Sequence, residues 1–166
     1  MLKKAVILFF MLFIFTGCKV SESKKIHTYE ASEVCFKEFN ETVDDETLIS
    51  RNNVFITYDD KLIVDKALYQ SISPLNAISS YTYETYDYIK RIYSNINGIS
   101  VEYYETTDSL VLEVSYDYNV IDLNSFRANV GELLDDKGLL GSVDFIPVDL
   151  NTFKSIELDD YECEVK

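Results

Sequence analysis

From Leu110 to Tyr118 an apolar residue recurs at every second position: Leu110, Leu112, Val114, Tyr116 and Tyr118 fall on one side, and Val111, Glu113, Ser115 and Asp117 on the other. A period of two places successive side chains on opposite faces of a strand, so this stretch cannot be a helix of comparable length. Ile99, Val101 and Tyr103 alternate just before it, and Thr106 to Ser109 has the composition of a turn, so the two runs read as a hairpin. One face is expected to pack and the other to stay mostly wet, as in antiparallel sheets.

The same reading runs along the rest of the chain. Ile26 to Phe39 has a strand-like pattern in Tyr29, Val34, Phe36 and Phe39, Asn40 to Glu46 is acidic and turn-like, and Leu48 to Arg51 extends a strand. Asn53 to Ser71 reads as a second hairpin, with Val54, Ile56 and Tyr58 before a two-residue break at Asp59-Asp60 and Leu62 and Val64 after it. Ser73-Pro74 marks a helix start and Asn97-Gly98 its end, with Ile78, Tyr81, Thr85, Tyr88, Ile89, Ile92 and Ile96 as the inward stripe. Asp122 to Leu134 reads as a second helix, Val143 to Val148 as a short strand, Asp149 to Leu158 as a short helix capped by Asp149 or Asn151, and Tyr161 to Lys166 as a last strand. Strands and helices do not alternate regularly. The expected fold is α+β: a mostly antiparallel sheet of two hairpins and terminal strands, with one long and one or two shorter helices packed on one face.

The first residues follow different rules. Lys3 and Lys4 precede an unbroken apolar run, Ala5 to Phe15. A spanning helix needs about 20 apolar residues, so this run is too short to cross a bilayer and has the length of a signal-peptide core. It ends Phe15-Thr16-Gly17-Cys18. Small residues admit the chain to a protease groove, and a cysteine after the cut offers a thiol for acylation. Phe15-Thr16-Gly17-Cys18 resembles the lipobox of bacterial lipoproteins, with Phe15 where leucine is usual. The resemblance implies cleavage after Gly17 and lipid on Cys18. The expected organisation is a signal peptide over 1–17, a lipidated cysteine and short tether over 18–25, and a single domain over 26–166. The expected location is the extracytoplasmic face of the cell membrane, and the expected membrane partner is reached through the lipid alone. One acyl chain binds only marginally, whereas two or three anchor firmly.

Losing Lys3 and Lys4 takes the formal net charge from −14 to −16 over the remaining 149 residues. Such a surface repels nucleic acid and anionic headgroups, so neither is an expected partner of the domain. The thirteen tyrosines suit a half-buried sheet surface, or a face that binds sugar or peptide. With Cys18 acylated, Cys35 and Cys163 are left as a pair that either bridges in an oxidising compartment or stays as two small apolar thiols.

Ile92 to Arg127, IYSNINGISVEYYETTDSLVLEVSYDYNVIDLNSFR, resembles the YehR-like family of small bacterial lipoproteins of unknown function. Gly98-Ile99, Asp117-Tyr118 and Asp122-Leu123 match its helix end, strand end and helix start. Cys35, Cys163 and the region from Val143 to Leu158 depart from it. The resemblance implies fold and address, and it brings no activity, cofactor or catalytic residue.

No motif for chemistry stands out. His27 is the single histidine and lies at the edge of the tether, where a base is not expected to be held in hydrogen-bond geometry. The acid pairs Asp44-Asp45, Asp59-Asp60, Asp135-Asp136 and Asp159-Asp160 suit turns and caps. No metal-ligand spacing occurs around the cysteines, so no metal or cofactor is expected. The expected function is a non-catalytic domain that binds an envelope protein or peptide. The alternatives are a solute-binding or chaperone-like domain using a Tyr-rich sheet, and an enzyme using carboxylates alone.

Overall fold

The computed structural model describes residues 24–43, 46–122, 126 and 149–166. The fold is α+β, built on a six-stranded antiparallel sheet of order β4-β5-β3-β2-β1-β6. The strands are β1 (Glu33–Val43), β2 (Glu46–Tyr58), β3 (Val64–Pro74), β4 (Ile99–Glu105), β5 (Ser109–Asp117) and β6 (Glu162–Val165); the helices are α1 (Ser80–Tyr93) and α2 (Leu150–Glu157). β1, β2 and β3 form a meander. The chain then crosses through α1 to the far edge and returns as β5 beside β3.

Registered rows define the two faces. Val101, Val114, Tyr69, Val54, Cys35 and Cys163 lie directly opposite one another across the six strands. On this face Leu150, Phe153 and Leu158 pack with Cys35, Val54, Ile56, Val64 and Ala67. Tyr93, Ile96, Ile99 and Phe126 form a second cluster with Ile89, Ile92, Val101 and Val114 around it. Tyr69, Tyr116 and Tyr118 join the two clusters, with Tyr69–Tyr116 ring centroids 5.6 Å apart and Tyr118–Phe153 centroids 6.2 Å apart. Burial pushes the Tyr69 and Tyr116 hydroxyls well above the usual tyrosine range, and the Tyr93 hydroxyl up to about 12.

A disulfide joins Cys35 to Cys163, directly opposite each other in the β1–β6 register with Cα atoms 4.0 Å apart. Closing a loop of 128 residues constrains the unfolded chain by about 5 kcal/mol in the chain-entropy account.

Several sequence expectations are corrected. The helix does not start at Ser73-Pro74: both residues finish β3, and α1 starts after Ser79, whose N–H reaches Thr82 Oγ1. The β2–β3 ladder stops at Arg51↔Ile72, short of Pro74, which has no N–H to offer β2. The helix ends at Tyr93, ahead of Asn97-Gly98. Gly98 instead takes φ +85° in the approach to β4, where a Cβ would lie 2.8 Å from Ile121.

The inward stripe holds at Ile89, Ile92 and Ile96, which pack in the second cluster, and differs at two tyrosines. Tyr81 is 67% exposed and Tyr88 41% exposed. The helix meets β4 through Tyr83, Tyr86 and Asp87: Tyr83 donates to Glu105 at 2.6 Å, Tyr103 donates to Asp87 at 2.6 Å, and the Tyr86 and Tyr103 rings lie 5.8 Å apart. The break after β2 spans Asp59 to Ile63, longer than two residues. There the Asp59 carboxylate accepts from the Lys61 and Ile63 N–H groups, and Leu62 takes φ 61°. Regular strand begins at Glu33, so residues 24–32 are an irregular strap. The helix expected over Asp122 to Leu134 is described only at Asp122 and Phe126, and the strand expected over Val143 to Val148 lies outside the described residues.

Candidate functional site

The second face of the sheet was expected to be mostly wet. Instead, Val111, Glu113 and Gln70 are buried there. Register explains the placement: Glu102, Glu113, Gln70, Asn53, Phe36 and Glu162 form one row across the back face. The strap crosses this row between β4 and β3 and covers Glu113 and Gln70.

A buried carboxylate is stable only when its lone pairs are satisfied. Glu113 meets that demand with four partners. Gln70 Nε2 and the Tyr104 hydroxyl donate to Oε1, each at 2.9 Å. The Tyr29 hydroxyl donates to Oε2 at 2.6 Å, and His27 Nδ1 lies 3.2 Å from the same oxygen. The network extends in both directions. Gln70 Nε2 also donates to the His27 carbonyl at 2.9 Å, and the His27 N–H donates to the Tyr104 hydroxyl at 3.0 Å. Asn53 donates to Gln70 Oε1 at 2.9 Å, and Arg51 Nε donates to Asn53 at 2.8 Å.

Ring packing fixes the same residues. His27 lies on Tyr104 with centroids 4.6 Å apart, and Tyr29 meets Phe55 at 5.4 Å. Lys24 Nζ is 5.3 Å from the Tyr104 centroid and 4.0 Å from Glu102, the exposed cross-strand neighbour of Glu113. Electrostatics follow from this geometry. Burial works to raise the Glu113 carboxyl, but the hydrogen bonds from Tyr29, Gln70, His27 and Tyr104 outweigh it and hold the group below its ordinary value. Burial first, and Glu113 beside it, pushes the Tyr104 hydroxyl up to about 12 and raises Tyr29 as well.

His27 is therefore not on a loose terminus, which corrects the sequence reading. A carboxylate-oriented histidine is half of a nucleophilic device. The other half is not assembled here. Among the described residues, no serine, threonine or cysteine side chain hydrogen-bonds His27, and the hydrogen-bond partners of its ring are Glu113 and the Tyr29 hydroxyl. What the arrangement does is fasten the strap to the sheet.

Cys35 and Cys163 lie on the opposite, helix-bearing face and take no part in this hub. Glu33 lies beside their sulfurs, but it pairs with Lys154, and a disulfide offers no thiolate, so the cluster is not a metal centre. Asp59 serves a turn, as expected of the acid pairs, and Asp160 pairs with Lys37 at 3.1 Å. Asp44-Asp45 and Asp135-Asp136 lie outside the described residues, as do Gly17 and Cys18. On the helix-bearing face Tyr69, Tyr161, Asn52, Ser71 and Leu112 line a small open cleft of about 80 Å³.

Glu113, Tyr29, Tyr104 and Gln70 were not singled out from sequence. Polar residues in mid-strand are ordinary on a wet face, and nothing local marks the one that a distant segment covers. The available signal was His27-Thr28-Tyr29, two hydrogen-bonding rings at a spacing of two beside a stretch without helical period.

No protein-family model matches the chain, and no curated protein is similar to it. Among solved structures it is similar to the NMR structure of a protein from Streptococcus pneumoniae TIGR4, at 15% identity and a TM-score of 0.44, over 89% of this chain and 94% of that one. Among the described residues no helix is long and apolar enough to cross a membrane.

Proposed function

We propose that the protein is a lipid-anchored extracytoplasmic lipoprotein whose domain binds a protein or peptide partner close to the membrane and carries out no reaction. The observation that carries this reading is the strap. It is fastened to the sheet from Lys24 onward, and Lys24 lies six residues after Cys18. Six residues span at most about 20 Å when extended. With lipid on Cys18, the face bearing Glu102 and Lys24 would therefore be held near the headgroups. On the same reading the chain is a YehR-like protein, cleaved after Gly17. The finer architecture goes with it: two hairpins and terminal strands, helices gathered on one face, and the other face left to the strap.

A Tyr-rich solute site has less support. Tyr69, Tyr116 and Tyr118 spend their rings on one another and on the core. The test is Cys18→Ser. The proposal expects uncut precursor that incorporates no labelled palmitate. A variant that still matures and still takes up label refutes it.

A further inference from the structure

β1 and β2 outrun their neighbours. β6 pairs with β1 only from Glu33 to Phe36, and β3 pairs with β2 only from Arg51 onward. Two local causes set these limits. The chain comes to β6 from α2 through Asp159, Asp160 and Tyr161, so β6 starts at the level of Phe36. Pro74 has no N–H, so it cannot extend the β2–β3 ladder. The result is a two-stranded arm. Among the described residues, β1 beyond Phe36 has β2 on one side and no strand on the other.

The backbone groups on that open side can be identified. The Lys166 N–H donates to the Ser32 carbonyl at 3.0 Å, so even-numbered β1 residues face the β6 side. Antiparallel alternation carries this to Glu38, Asn40 and Thr42, all of them exposed. Sheet edges invite pairing unless they are protected, most often by charge. The charge here is of one sign. Residues 37–51 contain five acids, Glu38, Glu41, Asp44, Asp45 and Glu46, against Lys37 and Arg51. Lys37 is paired with Asp160, and Arg51 is held by Asn53, lies over the Phe36 ring at 4.6 Å and reaches the Glu38 carboxylate at 3.9 Å, so the acidic excess is partly offset at Glu38. This edge repels a second copy of so acidic a chain but not a cationic strand. Its two faces differ as well: Phe39 is 41% exposed on the helix-bearing side, and Glu38 is exposed on the other.

We infer that the free edge of β1 from Glu38 to Thr42 accepts an extended segment of a partner protein as an added strand, and that this segment alternates basic and apolar residues. Backbone hydrogen bonds supply the attachment, basic side chains share the exposed Glu38 carboxylate with Arg51, and apolar ones meet Phe39. The inference deepens the binding reading proposed above and rests on it, but does not depend on the lipid.

The test titrates the full chain, in non-ionic detergent, with an alternating Lys/Val octapeptide, using oligolysine of equal length as the control. Backbone hydrogen exchange is the readout. The octapeptide is expected to slow exchange at Glu38, Asn40 and Thr42 at least tenfold, and oligolysine is not. Asn40→Pro removes an N–H from the open edge alone, so it should weaken binding at least tenfold while the β3 and β5 amides stay protected. If that variant does not fold, Glu38→Lys with Asn40→Lys should lose the Lys/Val peptide and gain a Glu/Val one. Equal binding of oligolysine, unchanged binding by the variants, or self-association through this edge in sedimentation equilibrium overturns the inference. A chain recovered acylated that takes no peptide loses this inference and keeps its anchor, whereas an unacylated chain that takes the peptide does the reverse.

Discussion

Replacing Glu113 by glutamine tests the strap directly. Each Glu113 oxygen accepts from two donors: Gln70 and Tyr104 on one, Tyr29 and His27 on the other. An amide keeps one oxygen and turns the other position into a donor. Whichever way it sits, one donor pair loses its acceptor, and the two bonds that survive lose their charge assistance. A hydrogen bond to a charged group contributes about 1.5–3 kcal/mol against about 1 for a neutral one. Relief of the buried charge offsets part of this loss, which leaves a net cost of about 2 kcal/mol. That is roughly a thirtyfold change in the opening equilibrium. The assay is native-state hydrogen exchange at Thr28 to Ser32, with Glu102→Gln as the exposed control, expected to change protection by less than twofold. pH should reproduce the effect. The folded Glu113 carboxyl titrates below its ordinary 4.5, so its contribution is complete above that value and is lost as pH falls through the depressed one. Strap protection that is unchanged in Glu113→Gln, or that improves in acid, refutes the reasoning.

Other outcomes follow from the packing. Gly98→Ala should cost about 2 kcal/mol or more in denaturant unfolding, because φ +85° disfavours any Cβ and the new methyl meets Ile121 at 2.8 Å. Leu62→Gly should raise stability by about 0.5 kcal/mol, since relief of the left-handed conformation exceeds the added chain entropy; a fall in the unfolding midpoint contradicts this. Alkaline titration should show Tyr69, Tyr116 and Tyr118 ionising only as the fold opens. Their folded values are raised, so their stabilisation is complete below pH 10 and is lost as pH rises through the raised values; phenolate absorbance that rises fully while circular dichroism stays native sinks the buried-tyrosine account.

The parts of the fold that could be read from sequence are those where one local pattern has one solution. Leu110 to Tyr118 keeps a period of two after a Thr106–Ser109 turn, and β5 of the β4–β5 hairpin takes it up as far as Asp117. Asp149 stands before α2 and accepts the Thr152 N–H at 3.1 Å. The expected helix stripe holds at Ile89, Ile92 and Ile96, which join the core, and fails at Tyr81 and Tyr88 for a physical reason. α1 holds tyrosines at 81, 83, 86, 88 and 93, so two stripes compete, and contact with β4 selects the one through Tyr83 and Tyr86. Pro74 fits a helix start and a strand end equally well, and only the register with Ser109 decides between them. The hub around Glu113 was hidden because its lid, the strap, lies 84 residues from it in sequence at Tyr29 and has no period of its own. Period assigns a residue to a face of a strand, but it does not say what covers that face.

The most direct test of the account is mass spectrometry of the N-terminal peptide of the protein recovered from cell membranes. The account predicts a chain that begins at Cys18 and carries the added mass of acyl groups. A chain found in the soluble fraction with Met1 retained and Cys18 unmodified contradicts it.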